Sequence, residues 1–217
     1  MKRIVSVLAL LGAFAIGSAY AQLAISGNLG LNYQSPAEKT SVVSFSLLPD
    51  VNYGINNMLA VGGKLGFNYN VKSNEVSETT TSTSDFIFTL APYVRFFALG
   101  NDRVSLFFDG QIPLSFGTLG KGKVTTKGKT VESDGNGYFG FGLWAVPGIK
   151  VNLSQNFALL ATANVARLGY QYTSTSTKSK DAEGKDVTTT VSQSAFAFGV
   201  NNYQQDAPIM IGIQMEF

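Results

Sequence analysis

Five charged residues are the best placed to do chemistry in this 217-residue sequence, and each stands alone among uncharged polar residues. They are Asp50, Lys64, Arg95, Asp109 and Lys150. Each lies in a segment where apolar and polar residues alternate, the two-residue period of a β-strand with one apolar face. Because a buried charge is costly unless it is paired, such charges can form either an ion gate or a set of structural salt bridges.

Two short turns set the expected pairing of these charges. If the first turn is centred between its flanking segments, Asp50 lies opposite Lys64. By the same argument on the next short turn, Arg95 lies opposite Asp109, and Lys150 is expected at a similar height. A small closed barrel is filled by its own side chains, which favours a structural plug over a narrow channel.

The composition excludes most catalytic chemistry. The sequence contains no histidine and no cysteine, which removes the commonest general base and metal ligand as well as thiolates and disulfides. A serine–lysine or paired-carboxylate site is conceivable, but Asp50 and Asp109 are better explained by their cationic partners. We therefore predict no catalytic residue, no metal site and no cofactor.

The alternating segments predict eight strands joined by connections of two kinds. Long polar segments follow the odd-numbered strands at residues 34–41, 71–84, 118–136 and 173–193, whereas short turns lie at residues 54–58, 99–103 and 154–156. This asymmetry is typical of an antiparallel up-and-down transmembrane β-barrel, with short periplasmic turns and long extracellular loops. The large apolar residues of the seventh strand change from odd-numbered to even-numbered positions near Arg167, which predicts a β-bulge there.

The last segment, residues 207–217, alternates with period two and ends on Phe217. We interpret it, together with the alternation at 196–200, as one strand interrupted at 201–206. A ninth strand would leave the two termini on opposite sides of the membrane. An even strand count brings this closing strand beside the first strand, residues 23–33.

The N-terminus has the three sections of a secretory signal: basic residues, an apolar run at 4–16 and small residues before position 22. We therefore expect a signal peptide at 1–21 and a barrel domain at 22–217. Loss of Lys2 and Arg3 lowers the basic count from 16 to 14, equal to the acidic count of 14. A near-neutral mature chain gives no reason to expect nucleic-acid binding.

Three segments resemble the small outer-membrane β-barrel family of the OmpA-like and OmpX-like kind. They are the hairpin at 49–62, the strand at 92–97 that reads Pro-Tyr-Val-Arg-Phe-Phe, and the hairpin that joins 147–149 to 157–159. The resemblance implies a location in the cell outer membrane and assembly machinery that reads the C-terminal strand ending in Phe217. Enzymes of similar architecture need a histidine, which this sequence lacks.

Four lysines in the third long segment are the other candidate site: Lys121, Lys123, Lys127 and Lys129. Clustered ammonium groups attract phosphate, so they could bind lipopolysaccharide or another anionic ligand. Their spacing by threonine and glycine, with Glu132 and Asp134 nearby, equally suits a solvated hairpin, which we favour.

The sequence as a whole predicts a monomeric outer-membrane barrel with a structural or surface-interaction role, adhesion-like or receptor-like, and no catalysis. Its expected partners are outer-membrane lipid, lipopolysaccharide and the barrel assembly machinery. Two alternatives remain open: a small low-conductance pore and a secreted soluble β-barrel binding protein, whose strands would also alternate.

Overall fold

A computed structural model describes residues 22–37, 39–180, 185–198 and 209–217 of the chain. The predicted signal peptide and the predicted break at 201–206 lie outside the described residues. The described strands are β1 (Gln22–Ala37), β2 (Thr40–Asn56), β3 (Leu59–Val76), β4 (Thr79–Gly100), β5 (Val104–Gln111), β6 (Leu114–Thr126), β7 (Lys129–Ser133), β8 (Asn136–Asn152), β9 (Phe157–Ala163), β10 (Leu168–Lys180), β11 (Asp186–Phe198) and β12 (Ile209–Glu216). Nowhere in these ranges is there a helix long and apolar enough to cross a membrane.

Antiparallel pairing joins these strands into one closed ring. Strand β4 pairs with both β5 and β6, strand β8 pairs with β5, β6, β9 and β10, and β12 pairs with β9 and β1. Counted with β5–β6, β7–β8, β9–β10 and β11–β12 as single interrupted strands, the ring has eight positions. The predicted all-β fold, an eight-stranded antiparallel up-and-down barrel, is confirmed.

The ring closes where the last strand meets the first. In the β1–β12 ladder, Leu29 is opposite Ile211 and Ala24 is opposite Glu216. On its other edge β12 pairs with β9 over seven residues, from Ile209 to Met215. The closing strand therefore has a hydrogen-bonded neighbour on each side, which removes the open sheet edges that a membrane cannot accommodate.

The two faces of the sheet have opposite character. On β1 the outward side chains of Leu23, Ile25 and Leu31 are between 45% and 69% exposed, whereas the inward Ser26 and Asn28 are buried. The same alternation appears in β2, β3, β5, β8, β9 and β12, whereas β7 and nearly all of β11 are exposed. Outward aromatic rings pair across neighbouring strands of the wall. This arrangement of the two faces is the reverse of a soluble barrel and matches a lipid-facing wall around a polar interior.

The segments predicted as long loops are largely β-ribbons. Strands β3 and β4 remain paired as far as Val76 and Thr79, and β6–β7 and β10–β11 extend the wall in the same way. At the tip of the β6–β7 ribbon both Lys127 and Gly128 have positive φ, as the tight hairpin turn that suits twisted strands requires. Runs of threonine suit either a loop or a strand, and here their hydroxyls pair across the ribbons.

The predicted bulge near Arg167 is wrong. A 3-10 turn, Asn164–Ala166, separates β9 from β10, and the Arg167 N–H donates to the Asn164 carbonyl. Inward residues are even-numbered in β9 and odd-numbered from Arg167 onward. The three-residue turn changes the parity of the strand, the same sequence signal that a one-residue bulge produces.

Candidate functional site

Four of the five predicted lumen charges meet in one cluster. Asp50, Lys64, Arg95 and Asp109 lie on the successive strands β2, β3, β4 and β5, all facing inward, and none is more than 3% exposed. The strand registers place Asp50 opposite Lys64 and Arg95 opposite Asp109. The short turns of the sequence thus bring two acids and two bases to one level of the barrel.

Asp109 is the centre of this cluster. The Arg95 guanidinium donates to both of its carboxylate oxygens, with Nε–Oδ1 at 2.7 Å and Nη2–Oδ2 at 2.9 Å. The Lys64 ammonium donates to Oδ2 at 2.6 Å. A bidentate guanidinium together with a second cation is the strongest arrangement available to a buried carboxylate.

Asp50 is held mainly by neutral donors. The Tyr93 hydroxyl lies 2.9 Å from both oxygens of this carboxylate, and the Ser26 hydroxyl donates to Oδ2 at 2.9 Å. Its nearest cation is Arg95, whose Nη2 is 3.9 Å away. The expected ion pair between Asp50 and Lys64 is therefore replaced: Lys64 faces Asp50 in register, but its long side chain reaches Asp109.

The cluster extends across the lumen. Arg95 Nη1 lies 3.5 Å from the amide oxygen of Gln214 on β12. Strand β12 pairs with β1 on the edge opposite β2, so this contact joins β4 to the closing strand of the ring. The Arg95 guanidinium also stacks on Phe107, 4.1 Å from the ring centre, and this ring has no exposed surface. Charged, amide and aromatic groups together fill the section of the barrel at this level.

Lys150 does not belong to the cluster, contrary to expectation. Its ammonium pairs with the Glu216 carboxylate near the turn end of the barrel. On β8 the residue level with Asp109 is Val146, four positions from Lys150, which is about 13 Å along a strand. Strand stagger in the closed barrel sets this offset, and the alternation of a single strand does not reveal it.

The site contains four further residues that were not among the predicted ones: Tyr93, Ser26, Phe107 and Gln214. Tyr93 has the same parity as Arg95 on β4, and Ser26 and Gln214 lie on the polar faces of β1 and β12. Strand parity alone could have identified these three as lumen residues. Phe107 has the parity of Asp109 on β5, so parity places it in the lumen too, but its apolar side chain is not the polar type expected there.

The four candidate lysines lie on one ribbon but not on one face. Lys121 is opposite Ser84 and Lys123 opposite Ser82, which continues the outward face of β4 from Phe86. The remaining two lysines do not share this outward face. Lys129 lies on the opposite face of the ribbon, and Lys127 lies at its tip, where the ammonium is 3.6 Å from the Glu78 carboxylate. All four side chains are exposed.

Phe217 lies at the turn end of the ring. Its backbone N–H donates to the Leu23 carbonyl at 2.9 Å, and its side chain is 65% exposed. The aromatic ring is therefore accessible on the folded barrel. Recognition of the C-terminal strand and Phe217 by the barrel assembly machinery stays a prediction.

The family model for the outer membrane protein beta-barrel domain matches residues 6–213 of the chain. The chain belongs to this family. Membership agrees with the outward apolar wall. In outer-membrane barrels the short turns face the periplasm and the long connections face outward, so we call the two ends of this barrel periplasmic and extracellular accordingly. The resemblance inferred from the hairpin residues is confirmed.

Several solved structures of outer-membrane proteins are similar to the barrel at low sequence identity. Neisserial surface protein A is 14% identical, with a TM-score of 0.35 over 92% of this chain and 98% of that one. A major outer membrane protein of Thermus thermophilus is 13% identical, with a TM-score of 0.46 over 91% and 99%. The attachment invasion locus protein of Yersinia pestis, solved with the heparin analogue sucrose octasulfate, is 15% identical, with a TM-score of 0.36 over 90% and 94%.

No curated protein matches the sequence. In the described ranges no group of three or more acidic side chains is arranged to hold a metal ion.

Replacing Arg95 by alanine should destabilise the folded barrel by about 3–5 kcal/mol, because it removes the bidentate partner of Asp109 and leaves one cation for two buried carboxylates. The measurement is the free energy of unfolding in urea, with the protein in lipid vesicles. Arg103→Ala, which removes an exposed arginine from the next periplasmic turn, is the matched control and should change stability by less than about 0.5 kcal/mol. Equal stability of the two variants would contradict the buried cluster.

Proposed function

We propose that this outer-membrane barrel works at the cell surface, as a structural or surface-interaction protein of the adhesion-like or receptor-like kind, without catalysis. The observation that carries the proposal is the charged cluster across the lumen. Asp50, Arg95 and Asp109 are each at most 1% exposed, and their charges are balanced by partners within the barrel wall. A lumen filled in this way offers no continuous aqueous path.

The extracellular ribbons support the same proposal. They carry paired strands beyond the apolar band, with hydroxyl ladders such as Ser73–Ser82 and Thr125–Thr130. A paired ribbon presents its side chains in fixed positions, which lowers the entropy lost when a partner binds. Binding sites on rigid exposed segments are the usual way in which a scaffold with a filled interior acquires function.

Catalysis has no support among the described groups. The hydrogen-bonding capacity of Asp50 and Asp109 is used by Tyr93, Ser26, Lys64 and Arg95, all of them buried. The chain contains no histidine and no cysteine, which removes the commonest general base and the thiolate nucleophile.

The second candidate function is a small low-conductance pore. It is favoured by polar spaces on both sides of the cluster, including a periplasmic one lined by Asn52, Lys150 and Glu216. Such a pore would need the Arg95 side chain to move out of the lumen axis, which would break both of its contacts with Asp109.

Planar-bilayer recording separates the two functions. The wild-type protein should give no steady ion current, because the cluster fills the lumen, whereas a Phe107→Ala/Arg95→Ala variant should give small discrete current steps. Arg103→Ala should stay silent like the wild type. Steady conductance of the wild-type protein would instead establish the pore.

For the surface role, we propose that phosphate groups of lipopolysaccharide bind to the outward lysines Lys121 and Lys123. These two side chains lie just above the lipid-facing Phe86 on the same face of the wall, where headgroup phosphates of the outer leaflet would lie. Lys129 faces the other way and Lys127 has Glu78 as a neighbour, so neither is placed to share the site.

A Lys121→Gln/Lys123→Gln variant should bind lipopolysaccharide-containing vesicles about 30-fold less tightly at low salt, since each lysine near an anionic surface contributes about 1 kcal/mol. The measurement is co-sedimentation of the detergent-solubilised protein with vesicles. Lys72→Gln/Lys129→Gln has the same net charge but loses lysines from the other face, and should bind like the wild type. Equal loss in both double variants would mean that only overall charge matters.

A further inference from the structure

A small internal chamber lies on the extracellular side of the charged cluster. Its volume is about 50 Å³, room for about four water molecules. The polar groups that line it include Lys64, Arg167, Trp144, Asn28 and Gln111, and none of the described lining residues is an aspartate or a glutamate. The described lining therefore combines neutral amide and hydroxyl groups with the donors Lys64, Arg167 and Trp144, and it contains no carboxylate.

The indole N–H of Trp144 is the central donor of this chamber. The side chain is 3% exposed, and its Nε1 atom is buried without a hydrogen-bond partner among the described residues. Gly142 makes room for the ring, since a Cβ at that position would lie 2.5 Å from Nε1. A buried donor held in one orientation without a partner is costly, which indicates that something in the chamber accepts from it.

Two cations line the chamber together with the indole. The Arg167 guanidinium stacks on the Trp144 ring, 4.5 Å from its centre, and is 3% exposed. Lys64 points into the chamber floor, and an ammonium has three donors, of which one is directed at Asp109. The described lining thus carries these two cations and no carboxylate, which favours negative charge inside the chamber.

The amide oxygen of Asn28 can accept a hydrogen bond from a water molecule that accompanies an ion in the chamber. Asn28 is 2% exposed, its amide oxygen has no partner in the described part of the chain, and it lies against Gly212, where a Cβ would collide with that oxygen. A water that donates to this oxygen can also solvate an ion beside Trp144, so the chamber accommodates an ion with part of its hydration shell.

We propose that this chamber binds one small monovalent anion, held by the Trp144 indole N–H between the Lys64 and Arg167 cations. The charged cluster closes the chamber on the periplasmic side, so the anion enters and leaves from the extracellular side. The inference is independent of the surface role proposed above, because it concerns groups inside the wall.

The sequence supplies its own probe, because Trp144 is the only tryptophan in the chain. Iodide quenches indole fluorescence and stands in for the anion. In detergent, at an ionic strength held constant with sodium sulfate, iodide quenching should saturate and chloride should reverse it. The cation caesium and the neutral quencher acrylamide should give only weak quenching that rises linearly with concentration.

Arg167→Gln should weaken the apparent affinity for iodide about tenfold, the effect of losing one charge-assisted contact, and Arg167→Lys should lie between this variant and the wild type. Lys150→Gln removes a lumen cation on the other side of the cluster and is the matched control, expected to behave like the wild type. Folding of each variant is checked by its different gel mobility before and after heating.

Linear iodide quenching of the wild type that chloride does not reverse would overturn the proposal and show that the chamber holds water alone. Saturable quenching of equal affinity in the wild type, Arg167→Gln and Lys150→Gln would also overturn it, because the anion would then bind elsewhere. If Arg167→Gln does not fold, reversal by chloride in the wild-type protein decides the question.

Discussion

The ion pairs of Asp109 with Arg95 and Lys64 are the interaction on which the rest of this barrel depends. Asp109 has no exposed surface, so its charge can be accommodated only by partners inside the wall. Those partners come from β3 and β4, and both must be in register with β5 for the contacts to form. One buried carboxylate thus constrains three neighbouring strands and fills the lumen at the same level.

The filled interior determines which surfaces of the barrel remain exposed. Because the charged cluster fills the lumen at its level, the exposed surfaces of the described barrel are mainly the extracellular ribbons and the lipid-facing wall. The ribbons continue the strands of the wall, so the registers fixed at the charged cluster run on into the extracellular part of the barrel. Closure of β12 on β1 completes the ring and leaves the ribbons as its main extensions.

The sequence was sufficient to predict the fold and the two registers that place Asp50 opposite Lys64 and Arg95 opposite Asp109. Period-two alternation identified the wall, and the short turns placed Arg95 opposite Asp109 because a two-strand register follows directly from a tight turn. The exchange of partners by Lys64 could not be predicted, since register fixes the position of a Cα but not where a flexible side chain reaches. The separation of Lys150 from the cluster depends on barrel stagger, a property of the whole ring. The 3-10 turn before Arg167 and a β-bulge leave the same parity signal, so only the structure distinguishes them.

Arg95 and Asp109 act as one buried pair, and a double-mutant cycle measures the coupling between them. The free energy of unfolding in lipid vesicles would be compared for the wild type, Arg95→Met, Asp109→Leu and the double variant. The account predicts strong coupling: each single change strands a buried charge, whereas the double change removes both, so its cost should fall below the sum of the singles by about 3 kcal/mol. Additivity of the two changes within about 0.5 kcal/mol would contradict it.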